Sequence, residues 1–472
     1  MAQLPNINEN FAEWYNEIVY QSELADLAPV KGCIVIRPYG WAIWENIKTV
    51  LDKRIKETGH QNAAFPLLIP ESFLKKEASH VEGFSPELAV VTIAGGKKLE
   101  EPLVVRPTSE TIIHYMFARW LKSYRDLPIK INQWCSVVRW EMRTRPFLRT
   151  TEFFWQEGHT AHETLEQAEA EAKMMMQEFV NLAHNYLAIP VITGQKSETE
   201  KFAGADKTYT YEAIMQDGKA LQMGTSHLIS QNFAKVFNMV YQDREGKTAY
   251  PHLTSWCGAT TRLIGAVIMT HGDQKGLILP PKIAPIQVVI VPIFKSENKE
   301  QVLSVAQKIK KDLINCNVSV ELDDDENKTP GTKFYHWELR GVPVRIEIGQ
   351  RDIEKNQAVI ADRLGTKNSV NLDQICAEIQ KTLDDVQQKL FERAKAKLQS
   401  HWFKKAKLTE FVADLDSKGG AYQTGWCQNK ECEAKLKEYK ATIRCLLPER
   451  TFDVCFNCDK KSITDIIVAK AY

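Results

Sequence analysis

The sequence predicts an α+β protein in three parts: a large mixed unit over 1–283 with antiparallel strands flanked by helices, a small α/β domain over 284–385, and a small α+β segment over 386–472. Three observations predict this. Two strand-like runs flank an arginine-rich stretch within Val137–His159, strands and helices alternate after Pro280-Pro281, and five of the ten cysteines fall between Cys427 and Cys458. At 472 residues the chain has room for roughly two to four domains. With 44% apolar and 26% charged residues it is neither mostly disordered nor collagen-like. The longest apolar run, Ile286 to Phe294, falls well short of the about 20 residues a membrane-spanning helix needs. The opening MAQLPNINENFAEWY holds acidic residues and no apolar core, so no secretory leader and a cytoplasmic location are expected.

In chain order, Trp41–Thr58 repeats apolar residues at helical spacing, and Phe65–Ile69 and Leu103–Val105 read as short strands. Thr164–Leu187 is a long amphipathic helix ending before Ile189-Pro190. Pro280-Pro281 and Pro285 mark a boundary. A strand at Ile286–Val291 precedes a helix whose apolar face carries Val302, Val305, Ala306, Ile309 and Leu313. A strand at Val318–Leu322 follows. Thr329-Pro330 supplies an N-cap and a first-turn proline for a helix through Leu339. Strands at Val342–Ile348 and Gln357–Ala361 complete the alternation, and the expected sheet is largely parallel. A long charged helix from Leu372 to about Trp402 leads into the last segment.

Basic and acidic residues balance at 61 to 60, but Val386–Tyr472 holds 17 basic and 11 acidic side chains. A basic tail on a slightly acidic body allows a local contact with a polyanion; charge alone favours a solvated helix face. Cys33, Cys135, Cys257, Cys316 and Cys376 are scattered and read as reduced packing residues, as does Cys445. Cys427-x4-Cys432 and Cys455-x2-Cys458, 22 residues apart, are different. Four thiolates in two close pairs suit a closed tetrahedral Zn²⁺ site, with Lys430, Lys435 and Lys437 offsetting its negative charge.

Gly246-Lys247-Thr248 imitates the end of a phosphate-binding loop, but Tyr241 stands where that loop requires its first glycine, and no GxGxxG follows a strand. The informative stretch is VVRWEMRTRPFLRTTEFFWQEGH, Val137 to His159. Period-two alternation puts Arg139 and Glu141 on one face of a strand. An arginine fork grips phosphate or carboxylate oxygens at two points, a glutamate accepts from an exocyclic amine, and Phe153 or Phe154 can stack on a base. Cross-strand ion pairing in an ordinary hairpin explains the same composition. Thr108 and Glu110 in Arg106-Pro107-Thr108-Ser109-Glu110 can hold an ammonium or simply cap a helix. Gln222-Met223-Gly224-Thr225-Ser226-His227 and Gly258-Ala259-Thr260-Thr261-Arg262 are weak signals singly.

Taken in this order, the motifs RPTSE, RWE, FLRTTEFFWQEGH, KFAGAD, TSHLISQNF, MTHGDQKGLILPP and PGTKFYHWELRGVPVRIEIGQRD resemble those of the class II prolyl-tRNA synthetases of archaeal and eukaryotic type, over nearly the whole chain. The class I signatures HIGH and KMSKS are absent. The resemblance implies a ligase that joins proline to tRNA(Pro) through prolyl-adenylate, using ATP and Mg²⁺. It implies that Arg139 binds the α-phosphate and the amino-acid carboxylate, that Glu141 meets the adenine amine, and that Arg149 and Thr150 bind ATP. Thr108 and Glu110 would hold the imino nitrogen, and Trp155, Glu157, His159, Phe202 and His227 would wall the proline pocket. Gln222, Thr225, Thr260 and Arg262 would contact the nucleotide, with Gln222 near the Mg²⁺; Arg139 and Arg262 would be the catalytic pair.

One departure is expected to matter. The family leads to its last arginine through Ser-Trp-Gly, and here Cys257 is an extra residue after Ser255-Trp256. The middle domain resembles an anticodon-binding domain, with Lys333, Glu338, Arg345 and Arg351 as candidate tRNA contacts and Glu347 in the same block. The cysteine segment resembles the subgroup's zinc domain, whose final tyrosine folds towards the active site as Tyr472 would. A homodimer through an element between Ile47 and Pro70 is implied. The about 65 residues between Glu157 and Gln222 leave no room for an editing insertion. The rival readings are a threonyl, histidyl or glycyl enzyme, or a tRNA-binding protein unable to make adenylate.

Overall fold

The computed structural model describes residues 3–78 and 88–472. Ile129–Val138 and Glu152–His162, rich in β-branched and aromatic residues, pair antiparallel from Ile129↔Ala161 to Val138↔Glu152. This is the expected hairpin around the arginine-rich loop. It belongs to a sheet of eleven strands. Beyond Ile129–Val138 lies the edge strand Gln61–Asn62, parallel to it. On the other side follow His252–Cys257, Ala220–Ser230, Lys207–Ile214 and Ile192–Gln195, all antiparallel. The last four strands come from the C-terminal segment: Thr442–Leu446, Thr464–Ala469, Ala421–Trp426 and Trp402–Lys404. Leu446 pairs with Gln195 at the seam. There a Cβ on Gly194 would lie 2.2 Å from the Leu446 carbonyl oxygen, so only glycine lets the strands close.

Leu165–Asn185 forms the expected long helix. Thr164 and Gln167 cap its start reciprocally. Its buried Ala168, Ala172, Met175, Phe179 and Leu182 recur at helical spacing, and Phe179 meets Trp256 and Tyr211 in the main core. Pro38–Glu57 buries Ile43, Trp44, Ile47, Leu51 and Ile55 in the same core.

The middle domain corrects one expectation. Its sheet runs Val320–Leu322, Val288–Ile293, Val344–Gly349, Gln357–Asp362, Lys367–Asn371. Only the first three strands are parallel; the last two are antiparallel. Residues 350–356 are too few for the dozen or so that a parallel crossover requires, so the chain turns back on itself. Helix Ile375–Ser400 runs without a break through 385/386, the boundary expected between the second and third parts. On the way Gln387 donates to the Tyr186 carbonyl and Arg393 to that of His271, tying the helix to the large first unit. Among the described residues no helix is long and apolar enough to cross a membrane.

Candidate active site

The fifteen side chains expected to bind proline and ATP all line one cavity above the middle of the large sheet. Strand ends place Arg139. Its Nε donates to the Pro107 carbonyl at 3.1 Å, and its guanidinium lies 5.4 Å from the ring centres of both Phe153 and Trp155. Arg262 opens helix Arg262–His271, its own N–H donating to Thr260 Oγ1. Its Nε and Nη1 donate to the carbonyls of Leu148 and Gln222, both at 3.1 Å. Desolvation lowers the pKa of both arginines, and Arg139 adds to the effect on Arg262. A guanidinium stays charged regardless, so two fixed positive charges face one hollow.

Opposite them, Glu110 starts helix Glu110–Trp120 and accepts from the Thr108 hydroxyl. Glu157 is buried. Ser109 Oγ and Gln133 Nε2 donate to its Oε1 at 2.5 and 2.9 Å, and His159 Nε2 lies 3.2 Å from Oε2. Burial pushes the Glu157 pKa up, but the bonds from His159, Ser109 and Gln133 outweigh it and hold the group below its ordinary value. His227 lies between Thr208 and Thr225, each hydroxyl 3.0 Å from a ring nitrogen, and its ring centre is 4.6 Å from that of Phe202, tilted by 32°. Burial, then the neighbouring His159, drive its pKa down to about 3, so it stays neutral. Phe202, Trp155 and a neutral imidazole thus make a small, largely apolar wall beside two carboxylates. In the loop, Arg149 Nε meets Glu141 at 2.7 Å, and Arg145 and Arg149 exchange backbone bonds that fold the loop back. Thr150 donates to the Glu152 carbonyl at 2.6 Å.

Cys257, the extra residue, ends strand His252–Cys257 and faces the cavity. Desolvation and the Glu157 carboxylate push its thiol up to about 12, so it is a neutral surface between the two arginines. Trp256 also borders the cavity but is buried, ring-to-edge on His60 and packed under Gly158. A Cβ at Gly158 would sit 2.0 Å from that ring. Gly158→Ala is therefore expected to lower stability by about 1–3 kcal/mol or more, read as a fall in the thermal midpoint.

The cavity also holds residues to which the sequence assigned no role: Phe147, Leu148, Lys196, Glu200 and Lys201. Lys201 adjoins Phe202 in KFAGAD and was within reach of the motif. Lys196 carries no local signal.

The four candidate tRNA contacts are not alike. Lys333 is buried, its Nζ donating to the Asp323 carbonyl at 2.7 Å, and is not at the surface. Glu338 and Arg345 share a cleft with Arg363 and Lys367. Arg345 pairs with Glu347 at 2.9 Å and lies 4.0 Å from the Phe334 ring centre. Arg351 is exposed on the short helix Gln350–Glu354. In the C-terminal segment the sulfurs of Cys427, Cys432, Cys455 and Cys458 lie within 4.8 Å of one another. Cys427 is 3.8 Å from Cys432 and 3.6 Å from Cys458. Tyr472 donates through its hydroxyl to Asp217 at 2.7 Å, and its ring lies 5.6 Å from the Arg145 guanidinium. Tyr472 therefore docks on the 217–220 turn, with its ring beside the arginine loop.

Known proteins resemble all three parts. The family described as tRNA synthetase class II core domain (G, H, P, S and T) matches residues 92–271, Anticodon binding domain matches 287–382, and Prolyl-tRNA synthetase, C-terminal matches 408–472. A Proline--tRNA ligase of Acetoanaerobium sticklandii is 53% identical, covering 100% of this chain and 98% of the relative. Proline--tRNA ligase 2 of Clostridioides difficile is 52% identical with the same coverage. The crystal structure of prolyl-tRNA synthetase from Cryptosporidium parvum, complexed with halofuginone and AMPPNP, superposes with a TM-score of 0.95 at 39% identity, covering 100% of this chain and 99% of that one. Whole-length likeness of this order, on a cavity of this composition, means that the chain belongs to the prolyl-tRNA synthetase family of class II.

Proposed function

We propose that the cavity joins L-proline to ATP as prolyl-adenylate and then passes the prolyl group to the 3′ end of tRNA(Pro). In the first step a proline carboxylate oxygen attacks the α-phosphorus and the bond to the β-phosphate oxygen breaks, releasing pyrophosphate. In the second, a terminal ribose hydroxyl attacks the acyl carbon, AMP leaves with the electron pair, and the hydroxyl proton is released. The observation that carries this reading is the convergence of Arg139 and Arg262 on one hollow beside the wall of Phe202, Trp155 and His227. Two anions must meet in the first step, so the site needs positioning and fixed positive charge more than a base. Arg139 and Arg262 provide that charge, Glu110 neutralises the secondary ammonium with Thr108, and Glu157 and His159 close the far wall. Glu141, Arg149, Thr150, Thr225 and Thr260 hold the nucleotide. Gln222 offers an oxygen donor suited to Mg²⁺, which when bound adds positive charge at the phosphates.

The four cysteines fit a structural Zn²⁺ site. A tetrahedron with about 2.3 Å bonds has edges of about 3.8 Å, close to the sulfur separations present. Contacts to anticodon bases fall to Glu338 and Arg345, a reading supported by the cleft they share, and to the exposed Arg351. A homodimer is supported by exposed apolar side chains at the 47–70 element: Leu67 and Leu68 within it, and Trp120 from helix Glu110–Trp120, whose ring lies 6.0 Å from that of Phe65, are 40–46% exposed. The reading extends to the domain division at 283 and 385, a cytoplasmic location, and the archaeal and eukaryotic type. The last is supported by the C-terminal segment and by an uninterrupted helix and strands from 157 to 222.

ATP–pyrophosphate exchange with each amino acid tests the reading. Exchange with proline is expected. Exchange with threonine but not proline would refute it, and none at all would favour a tRNA-binding role.

A further inference from the structure

At the wall of the cavity begins a buried trio that the reaction scheme above does not use. Glu212 Oε1 pairs with Lys196 Nζ at 2.6 Å, and its Oε2 accepts from Nε and Nη2 of Arg444 at 3.1 and 2.8 Å. The side chains of Lys196 and Glu212 are 2% and 1% exposed. Arg444 belongs to the C-terminal strand Thr442–Leu446, which extends the catalytic sheet at the seam. Glu212 sits opposite Gln222 on the neighbouring strand, close enough for its charge to act on Arg262.

The trio carries one surplus positive charge. Its placement follows from the bonds. Arg444 occupies one carboxylate oxygen, and the Thr210 hydroxyl donates to the other at 3.0 Å. Glu212 therefore keeps a partner on each oxygen without Lys196, a residue that lines the cavity while its ammonium rests on Glu212. The next residue is anchored from the same segment, Ser197 Oγ donating to Glu433 at 2.5 Å. We propose that Lys196 is a further substrate-binding residue that takes phosphate oxygens, and that Arg444 is the positioning residue that frees it by holding Glu212. Without Arg444, Lys196 is needed to neutralise Glu212 and the surplus charge disappears.

The inference rests on the adenylate-forming reading. The phosphate belongs either to ATP or to the 3′-terminal phosphodiester of tRNA, and two assays on the full chain separate these. Exchange at varied ATP without tRNA reads the first; charging at varied tRNA reads the second. In Lys196→Met the KM for one of the two is expected to rise by about tenfold or more, with the KM for proline little changed. Arg444→Met is expected to raise the same KM, and Arg444→Lys to restore part of it. Lys196→Met leaves Glu212 paired with Arg444, so the fold should survive; if it does not, Lys196→Gln gives the same reading. Wild-type KM values in both assays for the Lys196 variant would overturn the proposal. So would an Arg444→Met protein that melts earlier but keeps both KM values, since Arg444 would then be structural only. A wild-type protein without proline-dependent exchange would instead defeat the underlying adenylate reading.

Discussion

Replacing Arg139 with alanine is expected to cut proline-dependent ATP–pyrophosphate exchange by about 10³-fold or more, with the thermal midpoint within a few degrees of wild type. Loss of one preorganised donor to a developing charge costs about 10²–10³, and Arg139 faces both the carboxylate and the phosphate in the proposed pose. The fold should tolerate the change because little depends on the side chain. Among the described residues its side chain makes one hydrogen bond, to the Pro107 carbonyl, and it lies near two rings that also contact each other. Near-normal exchange in a folded Arg139→Ala protein would remove this arginine from the chemistry.

The second large effect concerns the cysteines. Cys432→Ser is expected to abolish stoichiometric zinc in the purified protein and to lower the thermal midpoint steeply. Structural zinc contributes about 10–16 kcal/mol of apparent binding free energy to folding in small zinc domains. Here Cys432 and Cys455 are fully buried in the core of the C-terminal segment, beside Trp426, Leu436 and Phe456. Stripped of metal, four thiols confined within 4.8 Å must pack there unassisted. Elemental analysis with a melting curve checks both halves. A wild-type protein without zinc, or a variant that melts like wild type, would contradict the assignment.

What the sequence revealed was local. Arg139, Glu141, Arg149 and Thr150 lie within one hairpin, and Thr108 and Glu110 at one helix start, so neighbouring residues announce them. The cysteine pairs are legible for the same reason, since two short spacings bring the thiols together in twos. Sequence missed what depends on distant partners. Nothing near Lys196 or Glu212 points to Arg444, which is 232 residues from Glu212. The strand Lys367–Asn371 is polar and largely exposed, so it lacks the apolar alternation that marks a strand. The antiparallel half of the middle sheet follows from a connection length, which composition does not record. The helix runs unbroken across 385/386, the division expected from sequence, because its buried face serves two apolar clusters in turn.

The seam between Ile192–Gln195 and Thr442–Leu446 has a consequence for biosynthesis. A ribosome delivers the first of these strands long before the second, and until then the catalytic sheet has a bare edge, a template for pairing with other nascent chains. Products that stop short of the seam would keep that edge open and would also lack Arg444. Incomplete polypeptides should therefore be both inactive and prone to capture by chaperones, so that early termination yields no half-working enzyme to compete for nucleotide.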